Sequence, residues 1–131
     1  WQLLLLDSHC AGQTRGRLAP TQLHWADAVL QSGTGPVVVA VHHPLDHFNP
    51  ATDWFERLAG SRRLKLALAG HIHQHRQTSC AGVALLGCPS TLAQFTATQP
   101  CPLGRADDPG GRWLELQPDG SWRDALLRWS A

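Results

Sequence analysis

The stretch Leu64-Lys65-Leu66-Ala67-Leu68-Ala69-Gly70-His71-Ile72-His73 decides how this chain is read. Residues 64–69, apolar apart from Lys65, have the length of a buried strand and stop at glycine and histidine. Side chains alternate along extended backbone, so His71 and His73 are expected on one side, roughly 6–7 Å apart. That separation suits two metal ions roughly 3.5–4 Å from each other, each taking one imidazole. Gly70 is read as the point where the backbone turns sharply, or approaches a ligand, where a Cβ would obstruct.

Upstream, Gly35-Pro36 and Pro44 bracket Val37–Val41, a β-branched run that also reads as a buried strand. It too ends in histidine, at His42-His43-Pro44. In layered α/β folds, sites form in loops beyond the carboxyl ends of strands, and neutral imidazole is a common ligand for transition metals. Pro44 stiffens the backbone beyond this pair and so fixes where His42 points.

The remaining elements follow the same grammar. Trp1–Leu6 is an apolar run closed by Asp7-Ser8, and Cys10–Arg17 reads as a glycine-containing loop. Pro20 suits the first position of a helix whose apolar face is Leu23, Ala26, Val29 and Leu30, ending at Ser32-Gly33. Asn49-Pro50 opens a second helical pattern with Ala51, Trp54, Phe55 and Leu58. Val83–Leu86 is another strand, and the Pro-, Gly- and Asp-rich stretch 96–111 a loop. Trp113–Leu116 and Trp122–Leu127 flank Pro118-Asp119-Gly120, a hairpin turn. Strand–helix alternation followed by a late hairpin makes the fold class α/β with an antiparallel element at its end.

At 131 residues the chain is one domain long, 43% hydrophobic and 16% charged, with a net charge of +1. No basic field points to nucleic acid, and the six tryptophans lack the cationic company of a base-stacking platform. Arg62-Arg63-x-Lys65 reads as a solvated helix end. The aliphatic runs are too short to span a membrane. Cys10, Cys80, Cys88 and Cys101 form no C-x-x-C pair, which leads us to expect free thiols in a reduced, cytoplasmic protein. The chain opens on Trp1 directly into a strand pattern, so it is expected to be a piece of a longer domain.

Val-His-His-Pro (41–44), Gly-His-Ile-His (70–73) and Pro-Ser-Thr-x-x-Gln-Phe (89–95) together resemble the C-terminal half of a calcineurin-like metallophosphoesterase. More narrowly they resemble the bacterial class III cyclic-AMP phosphodiesterases, as do Leu5-Leu6-Asp7-Ser8, Gln22-Leu23-x-Trp25 and Arg112–Leu116 with Asp119-Gly120. The resemblance implies an αββα sandwich of which residues 1–131 are the C-terminal portion, carrying a dinuclear centre of Fe/Mn or Zn. It implies that His42 and His71 ligate one metal and His73 the other, with His43 a neighbour of the site. The implied reaction is in-line hydrolysis of a phosphodiester small molecule such as cyclic AMP, with no membrane or nucleic acid involved.

The family's D-x-H, G-D and G-N-H-D/E motifs supply the other ligands and the acid for the leaving group, and of these G-D and G-N-H-D/E have no counterpart here. No catalytic acid is therefore assigned within the chain, which is expected to be inactive alone and to self-associate through an incomplete sheet edge. Asp7-Ser8-His9 is formally D-x-H, but its surroundings match a later strand, and it is set aside as a ligand pair. His71, His73 and His75 could also chelate a single zinc, although His75 is expected on an exposed loop. Ser90 reads as turn chemistry. Another phosphoesterase, or a truncated module that only binds a partner, remain as alternatives.

Overall fold

The computed structural model of the chain describes residues 1–47, 56 and 60–129. The second helical pattern, from Asn49 to Leu58, lies outside the described residues apart from Glu56.

Gln2–Leu6 (β1), Val37–Val41 (β2), Leu64–Ala69 (β3), Arg76–Cys80 (β4) and Val83–Gly87 (β5) form one sheet in the order β1-β2-β3-β5-β4. β1, β2, β3 and β5 run parallel, and β4 pairs antiparallel with β5 at the edge. Gly110–Leu116 (β6) and Trp122–Arg128 (β7) form a separate antiparallel hairpin. The α/β class and the late hairpin are as the sequence indicated.

The sheet lies between two unlike covers. Pro20–Ser32 (α1) puts Leu23, Ala26 and Leu30 against Leu4, Leu6, Val37, Val39, Val41, Val83 and Leu85. On the opposite face Val38, Leu66 and Leu86 pack with Leu114 and Trp122 of the hairpin. Each fully buried aliphatic side chain contributes about 1.5–3 kcal/mol. In β3, Leu64 and Ala67 share the helix face although three positions apart in sequence. A register shift between Val37 and Val38 accounts for this, because Lys65 becomes an extra residue and the alternation changes phase.

α1 ends through a long-range contact. Arg63 donates from Nη1 to the carbonyls of Val29 and Leu30, from Nε to Gly35 O and from Nη2 to Gln2 Oε1. Of the cluster read as a solvated helix end, Arg63 thus serves instead as a side-chain cap on the helix packed beside it. Its charge satisfies carbonyls left open at the last turn.

β4 has no counterpart in the sequence reading. Arg76-Gln77-Thr78-Ser79-Cys80 lacks an apolar alternation because it is an edge strand with little to bury. Ala81 (φ 48°) and Gly82 (φ 82°) join it to β5, both in the left-handed region that a two-residue hairpin turn of this kind requires.

Candidate metal site

β2 and β3 lie side by side, so the loops after them emerge together, and Gly70 N donates to His42 O across 3.0 Å. His42, His43 and His71 bring one ligand atom each to within 4.8 Å of one another. The His42 and His71 rings are 5.2 Å apart, and those of His43 and His71 4.2 Å.

The segment after β3 is not extended, which corrects the alternation argument. Ile72 N donates to Gly70 O at 2.6 Å, closing a tight turn, and His71 (φ 55°) and His73 (φ 50°) both occupy the left-handed region. Strain of this kind costs about 1–3 kcal/mol per residue and gathers at functional sites. The histidines carry the turn, and Gly70 has no positive φ. A Cβ on Gly70 would nonetheless stand 3.6 Å from His42 Nδ1, filling the space beside that nitrogen.

Both ring nitrogens of His43 are engaged. Nδ1 pairs with the buried Ser8 Oγ at 2.8 Å and Nε2 with Thr14 O at 3.1 Å. That favours His43 as a support for the site over His43 as a ligand. Asp7, by contrast, accepts His9 N at 2.8 Å and is locked to Gln22 by a pair of hydrogen bonds, and both Asp7 and His9 are exposed. The central residue of Asp7-Ser8-His9 is therefore the one that reaches the site. Sequence reasoning missed it, and a small hydroxyl at the end of a buried strand was the available signal.

His73 sits apart from the trio's tight contacts, its ring stacked on Phe95 at 4.5 Å and nearly coplanar. Its Nδ1 is buried with no hydrogen-bond partner. An orphaned imidazole nitrogen beside other imidazoles is what a cation would satisfy. Burial, then His43 and His73, hold His42 below the ordinary histidine range, and burial with the surrounding imidazoles does the same for His71. Both are thus kept neutral, with a lone pair to give. The donor set fits a divalent transition metal.

His75 is buried, not on an exposed loop. Arg112 Nη2 donates to His75 Nδ1 at 2.9 Å, and since guanidinium cannot accept, that nitrogen carries a lone pair already in use. A cation against Nδ1 removes that nitrogen as the third arm of a single-zinc H-x-H-x-H site. On the other flank Asp46, just after His42-His43-Pro44, pairs with Arg76 through two hydrogen bonds. A depression beside the cluster is lined by Thr14, Arg15, Gly16, His43, His47 and His71. All four cysteines are free, and among the described residues no helix is long and apolar enough to cross a membrane.

No family model matches the chain. It is 42% identical over 147 residues to the probable cyclic nucleotide phosphodiesterase of Synechococcus sp. (strain WH7803), covering 100% of this chain and 56% of that protein. It is 35% identical over 138 residues to the 3′,5′-cyclic adenosine monophosphate phosphodiesterase CpdA of Escherichia coli (strain K12), covering 92% of this chain and 48% of CpdA. The chain thus spans about half the length of these relatives. Vps29 from Entamoeba histolytica, solved with zinc, aligns over 96% of this chain and 98% of its own at 12% identity, with a TM-score of only 0.37.

Proposed function

We propose that this chain, a homologue of the cyclic nucleotide phosphodiesterases over its whole length, is the C-terminal portion of a single metallophosphoesterase catalytic domain. The observation that carries the reading is the convergence of His42 and His71 from adjacent parallel strands, with the orphaned Nδ1 of His73 beside them. His42 and His71 would hold one divalent ion and His73 a second, the metals being Fe/Mn or Zn. When bound, such ions polarise phosphoryl oxygens and lower the pKa of water.

The chain's own residues have distinct parts in this reaction. His42, His71 and His73 bind and orient. Ser8 and Thr14 O hold His43, which packs against His71 and fixes its place. Arg15, on the rim of the depression, offers a guanidinium to an anionic phosphoryl group. Hydrolysis adds one water across a P–O ester bond, opening a cyclic phosphodiester to a monoester and a free hydroxyl. The proton that the leaving oxygen needs comes from a residue outside this chain, so the chain alone is inactive. Cyclic AMP is the favoured substrate, on the named activity of the Escherichia coli relative. The free thiols agree with a cytoplasmic setting.

The test is hydrolysis of cyclic AMP and of bis(p-nitrophenyl) phosphate, with Mn²⁺, by the protein that carries this chain with its upstream coding sequence. Turnover of both, lost in His71→Ala and in His73→Ala, is expected. Turnover of the generic diester alone would move the reading to another phosphoesterase. Unchanged turnover in His73→Ala would overturn the site.

A further inference from the structure

Residues 89–95, Pro-Ser-Thr-Leu-Ala-Gln-Phe, contribute no ligand, yet they form a closed device against one. Ser90 Oγ accepts from Leu92 N at 3.1 Å and Ala93 N at 3.3 Å. The Gln94 amide clasps the Ser90 backbone from both sides, accepting from its N at 3.2 Å and donating to its O at 2.7 Å. Ser90 O also takes Gly110 N at 2.9 Å, tying the turn to the first residue of β6. The turn is therefore rigid by its own hydrogen bonds and anchored to the hairpin.

What it delivers is Phe95. That ring lies on His73 at a centroid distance of 4.5 Å and an interplanar angle of 4°. The buried Gln74, next in sequence to His73, donates its side-chain amide to Phe95 O and closes the contact from the other end. Phe95 is itself 61% exposed, so this packing does little for the core. His73 has more need of it. Its χ2 torsion is intrinsically broad, and its buried Nδ1 makes no hydrogen bond that would set the ring plane. Metal-binding histidines are ordinarily oriented by a hydrogen bond from the second nitrogen, and here a flat aromatic plate stands in that place.

We infer that the Pro89–Phe95 turn is a positioning element for the His73 imidazole: Ser90 and Gln94 lock the turn, and Phe95 fixes the ring plane by stacking, so that His73 meets a divalent cation already oriented. This rests on the metal reading given above.

Co²⁺ titration of the protein carrying this chain, followed by calorimetry and by the visible absorption of the bound ion, tests it independently of turnover. Phe95→Leu and Gln94→Ala should each weaken Co²⁺ binding by about three- to tenfold, the worth of an aromatic pair, and alter the Co²⁺ spectrum. Phe95→Tyr, which keeps the plate, should stay within about twofold of the unsubstituted protein on the same basis. Melting curves of the metal-free variants separate this from a structural role, which would lower stability and leave affinity in place. Phe95→Leu with unchanged affinity and spectrum, or Phe95→Tyr as weak as Phe95→Leu, would overturn the inference alone. Absence of Co²⁺ binding by the unsubstituted protein would overturn the metal reading and this inference with it.

Discussion

Replacing Arg112 by methionine should be among the most destabilising single changes available in this chain, and replacing its partner at the same time should undo most of the damage. Arg112 extends from β6 with only 4% of its side chain exposed and pairs with Asp124 of β7, itself 18% exposed. Its other terminal nitrogen donates to His75 Nδ1 at 2.9 Å and to Gly87 O, the end of β5, at 3.2 Å. One side chain thus joins both hairpin strands to the sheet and to the turn that bears His71 and His73. Removing one partner of a buried pair costs about 3–5 kcal/mol, because the other charge is left uncompensated. Asp124 can take on some water at its exposure, which places its share near the lower bound. The lost donors to His75 and Gly87 add about 1 kcal/mol, giving a total of about 3–4 kcal/mol for Arg112→Met. Arg112→Met with Asp124→Leu removes both charges and fills the space with apolar groups, which is often close to neutral. Urea unfolding of the protein, its two single variants and the double variant measures the coupling directly. A single-variant loss below about 1 kcal/mol, or a double variant no better than the sum of the singles, would refute the assignment of Arg112 as the clamp.

Other perturbations probe other joints. A Cβ on Gly33 would fall 2.3 Å from Arg63 Nη2 and expel the guanidinium from the carbonyls it caps; Gly33→Ala should cost about 2 kcal/mol in urea unfolding and almost nothing in an Arg63→Ala background. Burial pushes the pKa of Asp46 up, and the hydrogen bonds and charge of Arg76 more than offset this, so its carboxyl titrates below the usual range when folded. A depressed folded pKa gives stability that is present above the unfolded value of about 3.9 and lost as pH falls through the folded value, so the gap between the parent and Asp46→Asn should be constant near neutrality and close below about pH 4. Arg15→Ala should raise KM for the diester about tenfold with kcat little changed, and a fall in kcat at constant KM would show that Arg15 does not bind ground-state phosphate. Leu3 and Leu5 are 59% and 64% exposed on β1, the end strand of the sheet. Leu3→Thr with Leu5→Thr should reduce self-association of the isolated chain in sedimentation velocity, and unchanged association would locate the sticky surface elsewhere.

The parallel strands were legible because burial on both faces makes them continuous apolar runs, and Val37–Val41 and Leu64–Ala69 begin and end where pattern and punctuation put them. α1 was legible from Pro20 and its apolar spacing. β4 was not, since a polar edge strand writes no period, and Ala81-Gly82 hides a turn more often spelled with asparagine. The histidine clusters could be found because strand ends are cheap to locate. Their geometry could not, because alternation presumes extended backbone and nothing local in Gly70-His71-Ile72-His73 announces two left-handed histidines. What holds them there is non-local: Arg112, Asp46 and Phe95 reach the turn and the residues that close it from distant parts of the chain, on β6, beyond β2 and beyond β5.

That non-locality explains how a strained turn survives. Two non-glycine residues in the left-handed region together cost about 2–6 kcal/mol, and no hydrogen bond within the turn, beyond Ile72 N to Gly70 O, offsets it. The offset comes from the flanks. Gly70 N is tied to His42 O and Cys88 N to Ala69 O, fixing where the turn leaves the sheet. Arg112 grips His75 and Asp46 grips Arg76, fixing where it returns. With entry and exit both pinned, the residues between them are confined to the turn, and His71 and His73 are held in place by the contacts that flank them. On the reading proposed above, a divalent cation would meet His71 and His73 in a turn already shaped by this chain's own contacts.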